Sequence, residues 1–458
     1  MVFSSISFLF FFLPLLFLCY FLVPRKGRNY VLLIFSFLFY YFGEKEYVLL
    51  LLFSCLANYI CGLLIGRNHQ KRYLVIGLLI NIGLLFYYKY TNFFLGTFSN
   101  LFHLSITTLK IILPLGISFF TFQNISYLID VYRKEVNSQK NFFIYCTYIA
   151  LFPQLVAGPI VRYKDVCEQL DNRKESISLF SEGVRRFVMG LGKKVLIADT
   201  FYHVYTTVMA TEMTFLSYWL VALSFTFQIY YDFSGYSDMA IGLGKMFGFD
   251  FKENFNYPLI ASSITDFWRR WHMSLSSFFR DYVYIPLGGN RCSIIKNIRN
   301  IFVVWLLTGL WHGADWNFIF WGLYFFFFLI LEKFFLKKFL KGGILSHLYT
   351  FLIVIFSFVI FTITDLSTLG NFLKGMVGIG TTLSNSETIY FIKNNIIIFV
   401  VAFLGMSPYL KNKLENLKKG KFCKGIDCGE VIYILLVFSL VIATIISSTF
   451  NPFIYFRF

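Results

Sequence analysis

Runs of about twenty apolar residues recur along most of this chain, and that spacing confines it to folds that live in a lipid bilayer. In the first third the candidate segments are 3–23, 30–43, 47–66, 73–94, 109–129 and 141–157. The last third adds 301–310, 318–331, 344–364, 388–407 and 431–448. Only 14% of the residues are charged, against about a quarter in a soluble globular chain. A soluble fold would expose far too much apolar surface. Within hydrocarbon every backbone group must be satisfied internally, which leaves helices or closed barrels. Apolar runs of helical length predict an all-α polytopic membrane protein of about eleven to thirteen membrane segments. No internal repeat, linker or soluble domain interrupts it. The chain reads as one membrane domain, 1–458, with N-terminal spans (1–157), an irregular middle (158–316) and C-terminal spans (317–458).

The formal charge is +17, and its distribution indicates orientation. Basic clusters at Arg25, Lys26 and Arg28, at Arg67, Lys71 and Arg72, and at Arg133, Lys134 and Lys140 recur every second loop. The loop at 44–46 between them is acidic on balance. The positive-inside rule then puts the N-terminus outside the cytoplasm. A further Lys-rich loop, from Lys411 to Lys424, is expected in the cytoplasm, with the C-terminus outside. The basic balance suits anionic lipid headgroups. It does not suit nucleic acid, because no soluble basic domain carries it. No basic residue precedes the first apolar run, so 1–23 reads as a retained span in a multi-pass cell-membrane protein. Most of the eight cysteines lie in apolar runs, and Cys423 and Cys428 have no second Cys or His pair beside them, so no zinc site is expected.

The middle third departs from plain spans. Residues 158–199 carry Arg162, Lys164, Asp165, Lys193, Lys194 and other charges, and are expected as amphipathic helices at the cytoplasmic surface. The stretch QIYYDFSGYSDMAIGLGK (228–245) follows an apolar run. Its Asp232 and Asp238 are costly in lipid and are expected to face protein or water, with irregular backbone and close packing at its glycines.

The polar residues concentrate in 265–316. It reads TDFWRRWHMSLSSFFRDYVYIPLGGNR, then an apolar run, then LTGLWHGADW. It holds two of the six histidines, His272 and His312. A histidine has an ordinary pKa near 6.5 and serves as a general base near neutral pH. Trp311 and Trp316 are expected to flank His312. Thr265 or Asp266 is expected to cap a helix on which Trp268, His272 and Leu275 share a face, with Arg280 two turns further on. Arg269 and Arg270 point elsewhere. The plainer readings are a hydrogen-bonded interfacial histidine at 312, a packing histidine at 272 and snorkelling arginines. There is no G-x-S-x-G elbow, no phosphate-binding G-x-x-x-x-G-K-[ST] loop and no metal-ligand spacing.

Several long motifs go further. They are FPQLVAGPIVRY (152–163), GKKVLIAD (192–199), FQIYYDFSGYSDMAIG (227–242), NFNYP (254–258), ITDFWRRWHMSLSSFFRDYVYIPLGGNR (264–291), LTGLWHGADWNFIFWG (307–322) and NPFIYFRF (451–458). Together, and along nearly the whole chain, they resemble the membrane-bound O-acyltransferase superfamily, and within it the bacterial alginate O-acetyltransferase branch. Asp315 stands where a small residue is expected. The resemblance implies peripheral helices around a thin central layer of tilted and re-entrant helices. It implies that His312 is the membrane catalytic histidine and His272 the second position of the site, with Trp311, Arg269, Arg280, Asp232, Gln228 and Asn317 as supporting candidates. It implies acetyl-CoA as donor substrate with no bound cofactor. It also implies a hydrolase-like (SGNH-type) acetyltransferase partner outside the membrane and a secreted polysaccharide acceptor. Two other readings stay open: D-alanyl transfer from a carrier-protein thioester to teichoic acid, and a polysaccharide exporter or polymerase, although a transporter is expected to show repeat symmetry.

Overall fold

The structure is a computed structural model that describes residues 2–340, 342–419 and 423–447. The described residues are helical with no strand. They form two compact units. The first holds the residues up to Phe187 together with Met239–Lys252. The second holds Val188–Asp238 and the residues from Glu253 onward.

The first unit contains α1 (Leu13–Leu22), α2 (Arg28–Glu44), α3 (Tyr47–Asn68), α4 (Lys71–Leu85), α5 (Thr91–Phe102), α6 (Ile117–Tyr132), α7 (Phe142–Ala150), α8 (Phe152–Leu155) and α9 (Tyr163–Asn172). It also takes most of α10 (Ile177–Gly192). Helices α3, α4 and α6 are joined by polar side chains that have no water to turn to. The amides of Asn58 and Asn81 bond each other (Asn81 Nδ2 to Asn58 Oδ1, 2.6 Å). Asn124 donates to Ser54 and accepts from Tyr145 of α7. Such bonds between membrane helices contribute about 0.6–2 kcal/mol each. Amphipathic helices are present where 158–199 suggested them. In α9 the buried residues are Tyr163, Val166 and Leu170, spaced three and four apart to form one face.

The second unit contains α11 (Asp199–Met209), α12 (Phe215–Met246) up to Asp238, α13 (Ile264–Arg270), α14 (Met273–Phe279), α15 (Ile294–His312), α16 (Trp316–Phe334), α17 (Ile344–Thr362), α18 (Leu366–Met376), α19 (Ser386–Gly405), α20 (Tyr409–Lys418) and α21 (Cys423–Ser447). One apolar core gathers Val208, Val221, Ile355, Val359 and Phe372 from α11, α12, α17 and α18. Helices α15 and α16 lie backbone to backbone. A side chain at Gly309 would meet the carbonyl oxygen of Phe318, and one at Gly322 that of Trp305. Small residues allow this approach between helices in lipid, as expected from dispersion-driven packing.

Seven helices among the described residues are long and apolar enough to cross a membrane: Tyr47–Asn68, Lys71–Phe102, Ile294–His312, Trp316–Phe334, Ile344–Thr362, Ser386–Gly405 and Gly425–Ser447. Phe8–Leu22 is a shorter apolar helix. The segments expected at 109–129 and 141–157 begin or break differently: α6 starts only at Ile117, and α7 stops at Ala150 ahead of Pro153. The irregular backbone expected at 228–245 is absent, since α12 runs unbroken through it. Its glycines serve close packing instead. A side chain at Gly235 would strike the carbonyl oxygen of Gly190. The Lys-rich stretch expected as a loop is largely helical, in α20 and the start of α21. Two residues of the charged surface region are buried rather than surface-lying. Lys194 is 4% exposed and pairs with Asp199 (2.6 Å) and Asp232 (3.1 Å), and Arg162 lies beside Asp165. The motif at 451–458 and Lys421 fall outside the described residues.

Candidate active site

Both histidines of 265–316 lie in the second unit and are buried, His272 at 0% and His312 at 5% exposure. The chain reaches His272 through a break that helical spacing does not foretell. Helix α13 is capped by Ser263, whose hydroxyl accepts from the Asp266 N–H, and not by Thr265 or Asp266. It ends at Arg270. His272 then adopts a left-handed backbone (φ 43°) and starts α14. Trp268, His272 and Leu275 therefore do not share one helical face. A non-glycine residue in this conformation is held by its surroundings, and here the strap at Asn254 holds it. The Met273 N–H donates to the Asn254 carbonyl, and the Asn256 N–H to the Arg270 carbonyl.

The same strap sets the tautomer of His272. The Ser274 N–H donates to the side-chain oxygen of Asn254 (3.2 Å), as does the Ser274 hydroxyl (2.8 Å). An atom that receives a backbone N–H must be the amide oxygen, which only accepts. His272 Nδ1, 3.1 Å away, therefore carries the hydrogen and donates to it. Nε2 is left as the basic nitrogen. His272 lies outside the seven spans, and burial pushes its pKa down to about 3, so the ring is neutral across ordinary pH.

His312 is the last residue of α15. Its ring packs edge to face against Trp311 (4.9 Å), Trp321 (4.8 Å) and Phe361 (5.3 Å). His272 packs against the same Trp311 (5.7 Å) and against Phe233 of α12 (4.8 Å). One indole is thus shared by two imidazoles that lie forty residues apart in the sequence. A cavity of about 150 Å³ is lined by Trp268, Ser276, Phe279, Arg280, Trp305 and Thr308 among others, and Trp268 packs on Trp321 at 5.7 Å. Thr308 is one turn before His312. The buried indole nitrogens of Trp268 and Trp321 have no hydrogen-bond partner among the described residues.

The structure divides the remaining candidates. Trp311 joins the site. Trp316, expected to flank His312, is 43% exposed, because Asp315 caps α16 and starts it with Trp316 turned away. Trp321, five residues on, takes that place. Asp315 therefore has a local role at a position where a small residue was expected. Arg269 is exposed, and Arg280 faces outward to pair with Asp281 at 2.7 Å, so neither meets His272. Asn317 is fully buried and donates to the Phe361 carbonyl (2.8 Å), which fixes a ring that touches His312. Asp232 pairs with Lys194. Gln228 is buried with its amide oxygen unpartnered.

Sequence reasoning missed two residues that hold the site. Asn254 was inside the quoted motif NFNYP, yet only the fold shows it beside His272. Glu332, buried within an apolar span, accepts from the Ile264 N–H (2.5 Å), the Thr265 N–H (3.0 Å) and the Thr265 hydroxyl (2.9 Å). It anchors the N-terminus of α13 to α16, the helix that carries Trp321. Among the described residues no group of three or more His, Cys, Asp or Glu converges to hold a metal ion.

A polytopic helical membrane protein with two protein-buried imidazoles around a tryptophan is equipped for proton transfer away from water. The pattern "MBOAT, membrane-bound O-acyltransferase family" matches residues 133–371. The chain is 37% identical to "Probable alginate O-acetylase AlgI" of Pseudomonas putida, covering 100% of both. It is 36% identical to "Peptidoglycan O-acetyltransferase" of Helicobacter pylori, covering 90% of this chain and 87% of that one. It is 31% identical to "Teichoic acid D-alanyltransferase" of Bacillus subtilis over 54% of this chain and 68% of that one. The chain belongs to the membrane-bound O-acyltransferase family, in the branch that holds the alginate O-acetylases. It is a multi-pass membrane O-acyltransferase.

Proposed function

We propose that this enzyme takes an acetyl group from acetyl-CoA on the cytoplasmic side of the cell membrane. It passes the group toward hydroxyls of an extracytoplasmic polysaccharide, by way of a partner acetyltransferase of the hydrolase-like (SGNH) type. The observation that carries the reading is the pair of buried imidazoles around Trp311 in a chain whose full-length relatives are named for O-acetylation. The N-terminus is extracytoplasmic on this reading, as the basic loops suggest.

His312 acts as the general base. It takes the proton of the acceptor hydroxyl as that oxygen attacks the thioester carbonyl. The tetrahedral intermediate collapses, the C–S bond breaks, and the proton passes to the departing thiol. The negative charge that develops on the carbonyl oxygen needs a donor. His272, the second position of the site, could orient the donor or stabilise this charge, but its Nε2 bears no hydrogen in the tautomer that Asn254 imposes. The indole N–H of Trp321, buried and unpartnered beside His312, fits that task better. His272 instead offers a lone pair to orient the acceptor or the thiol proton.

Replacing His312 with Ala and measuring polysaccharide O-acetylation in cells tests the assignment. Unchanged acetylation at normal membrane levels of the protein refutes it. Radiolabelled acetyl-CoA incubated with the purified protein separates this donor from a carrier-protein thioester. The teichoic-acid relatives make that alternative chemically close, but their match covers only about half of this chain.

A further inference from the structure

In the first unit a cavity of about 430 Å³ opens between the end of α1 and the start of α10. It is lined by Phe21, Arg25, Arg28, Ser176, Ile177 and Phe180, among others. We propose that it binds the headgroup phosphate of an anionic glycerophospholipid, with the acyl chains lying along Phe21 and Ile177. The inference stands apart from the acetyl-transfer reading.

Charge is the first argument. Arg25 and Arg28 line the cavity against one carboxylate, Glu175, and Arg173 stands 3.8 Å from that carboxylate. That carboxylate is committed. One oxygen accepts from the Tyr20 hydroxyl (2.7 Å), and the other pairs with Arg28 (2.9 Å). Arg28 is also held over the rings of Tyr20 (5.1 Å) and Phe21 (5.6 Å), so its guanidinium is positioned in advance. Its Nε is buried with no hydrogen-bond partner among the described residues. Arg25 is exposed and enters no ion pair among the described residues. The sixteen-residue helix α10 begins at the cavity wall, where its first backbone N–H groups add positive potential.

Depth is the second argument, and it selects a lipid over a free phosphate. The cavity sits where the apolar helix Phe8–Leu22 gives way to Arg25 and Lys26, the level at which headgroups meet hydrocarbon. Large apolar side chains stand exposed there: Leu22 is 74% and Ile177 91% exposed. Water gives no reason for an isoleucine to project this far beside a basic cavity, whereas an acyl chain does.

The test is native mass spectrometry of the full-length protein in detergent, titrated with dilauroyl phosphatidylglycerol or dilauroyl phosphatidylcholine. One tightly retained phosphatidylglycerol is expected, with phosphatidylcholine held much more weakly. R25Q is expected to weaken retention about fivefold, the effect of one basic charge at an anionic surface. I177S is expected to weaken it without changing charge. K411Q, which removes a charge from the other basic stretch, should leave it unchanged. The proposal is overturned if both lipids are retained alike, if R25Q and I177S both bind as the wild type does, or if K411Q matches R25Q. Complete competition by soluble glycerol phosphate also overturns it, because the site would then read a phosphate rather than a lipid.

Discussion

Glu332 offers the sharpest quantitative test of how the site is held. Its carboxylate accepts three hydrogen bonds from the first residues of α13, at 2.5, 3.0 and 2.9 Å. Hydrogen bonds to a charged acceptor contribute about 1.5–3 kcal/mol each, and a buried donor left without a partner costs about 1–3 kcal/mol. Thr265 is exposed and can turn to other partners, while Ile264 is fully buried. Glu332→Ala leaves one fully buried N–H without its acceptor and should therefore cost about 1–3 kcal/mol. Glu332→Gln keeps the shape and one acceptor oxygen but turns an N–H₂ toward backbone N–H groups, so it should recover only part of the loss. Catalysis should suffer beyond stability. Helix α13 carries Trp268, which packs on Trp305 (4.6 Å) and Trp321 (5.7 Å), and Trp321 touches His312. A displacement of about 1 Å passed along that chain can cost on the order of 10²-fold in rate. The assay is thermal unfolding in detergent together with acetyl transfer per folded enzyme. The reasoning fails if Glu332→Ala melts with the wild type and transfers acetyl at its rate.

Three further outcomes follow from the same geometry. Trp321→Phe keeps a ring against His312 but removes the N–H. It should lower kcat by about 10²–10³-fold with little change in KM, and equal losses in both would instead mark a binding role. Asn254→Leu frees the His272 tautomer and should cost 10²-fold or more in acetyl transfer. Asn254→Asp, which keeps an acceptor at the same place, should retain more activity, and a reversed order would exclude the tautomer argument. Burial works to raise the Glu175 pKa, but hydrogen bonds from Tyr20 and Arg28 and the charges of Arg28 and Arg173 outweigh it, leaving the carboxyl below its ordinary value. A depressed carboxyl stabilises the fold above the unfolded-state pKa near 4.5 and loses that contribution as pH falls through the folded value. Acid unfolding below about pH 4.5 should thus become shallower in Glu175→Gln, and an unchanged pH profile would rule this contribution out.

The membrane architecture and both histidines were legible because their signals are local. An apolar run of helical length forms a span by its own composition, and the two histidines stand inside long uninterrupted motifs. The missing parts are long-range or conformational. Nothing in the residues near His272 announces a left-handed backbone, because the strap that fixes it comes from Asn254, eighteen positions earlier. Glu332 stands just past the apolar run 318–331, and its partners lie 67 and 68 residues away, so nothing near it in the sequence marks its role. Trp316 was favoured over Trp321 by nearness in sequence. On a helix, however, five residues turn the side chain by about 140°, and the Asp315 cap decides which of the two faces inward.

Buried charge in this enzyme is mostly structural, which changes where its chemistry must come from. Lys194 with Asp199 and Asp232, and Glu332 with α13, satisfy the acidic and basic groups of the second unit that sequence logic would first suspect of reacting. What packs on the shared indole of Trp311 is two imidazoles, with Trp321, Phe233 and Phe361 around them. Under the proposed reaction a neutral base must create two charges at once, an imidazolium and an oxyanion, in a medium that solvates neither. Two opposite charges 4 Å apart attract by about 4 kcal/mol at an effective dielectric of 20, against about 1 kcal/mol in water. The site thus favours their joint formation over either charge alone. Aromatic rings centred 4.8–5.3 Å from His312 enclose it edge to face and leave it 5% exposed. A carboxylate beside His312 would stabilise the imidazolium before the acceptor had attacked and would repel the oxyanion. The tryptophan and phenylalanine rings around this histidine add no such repulsion.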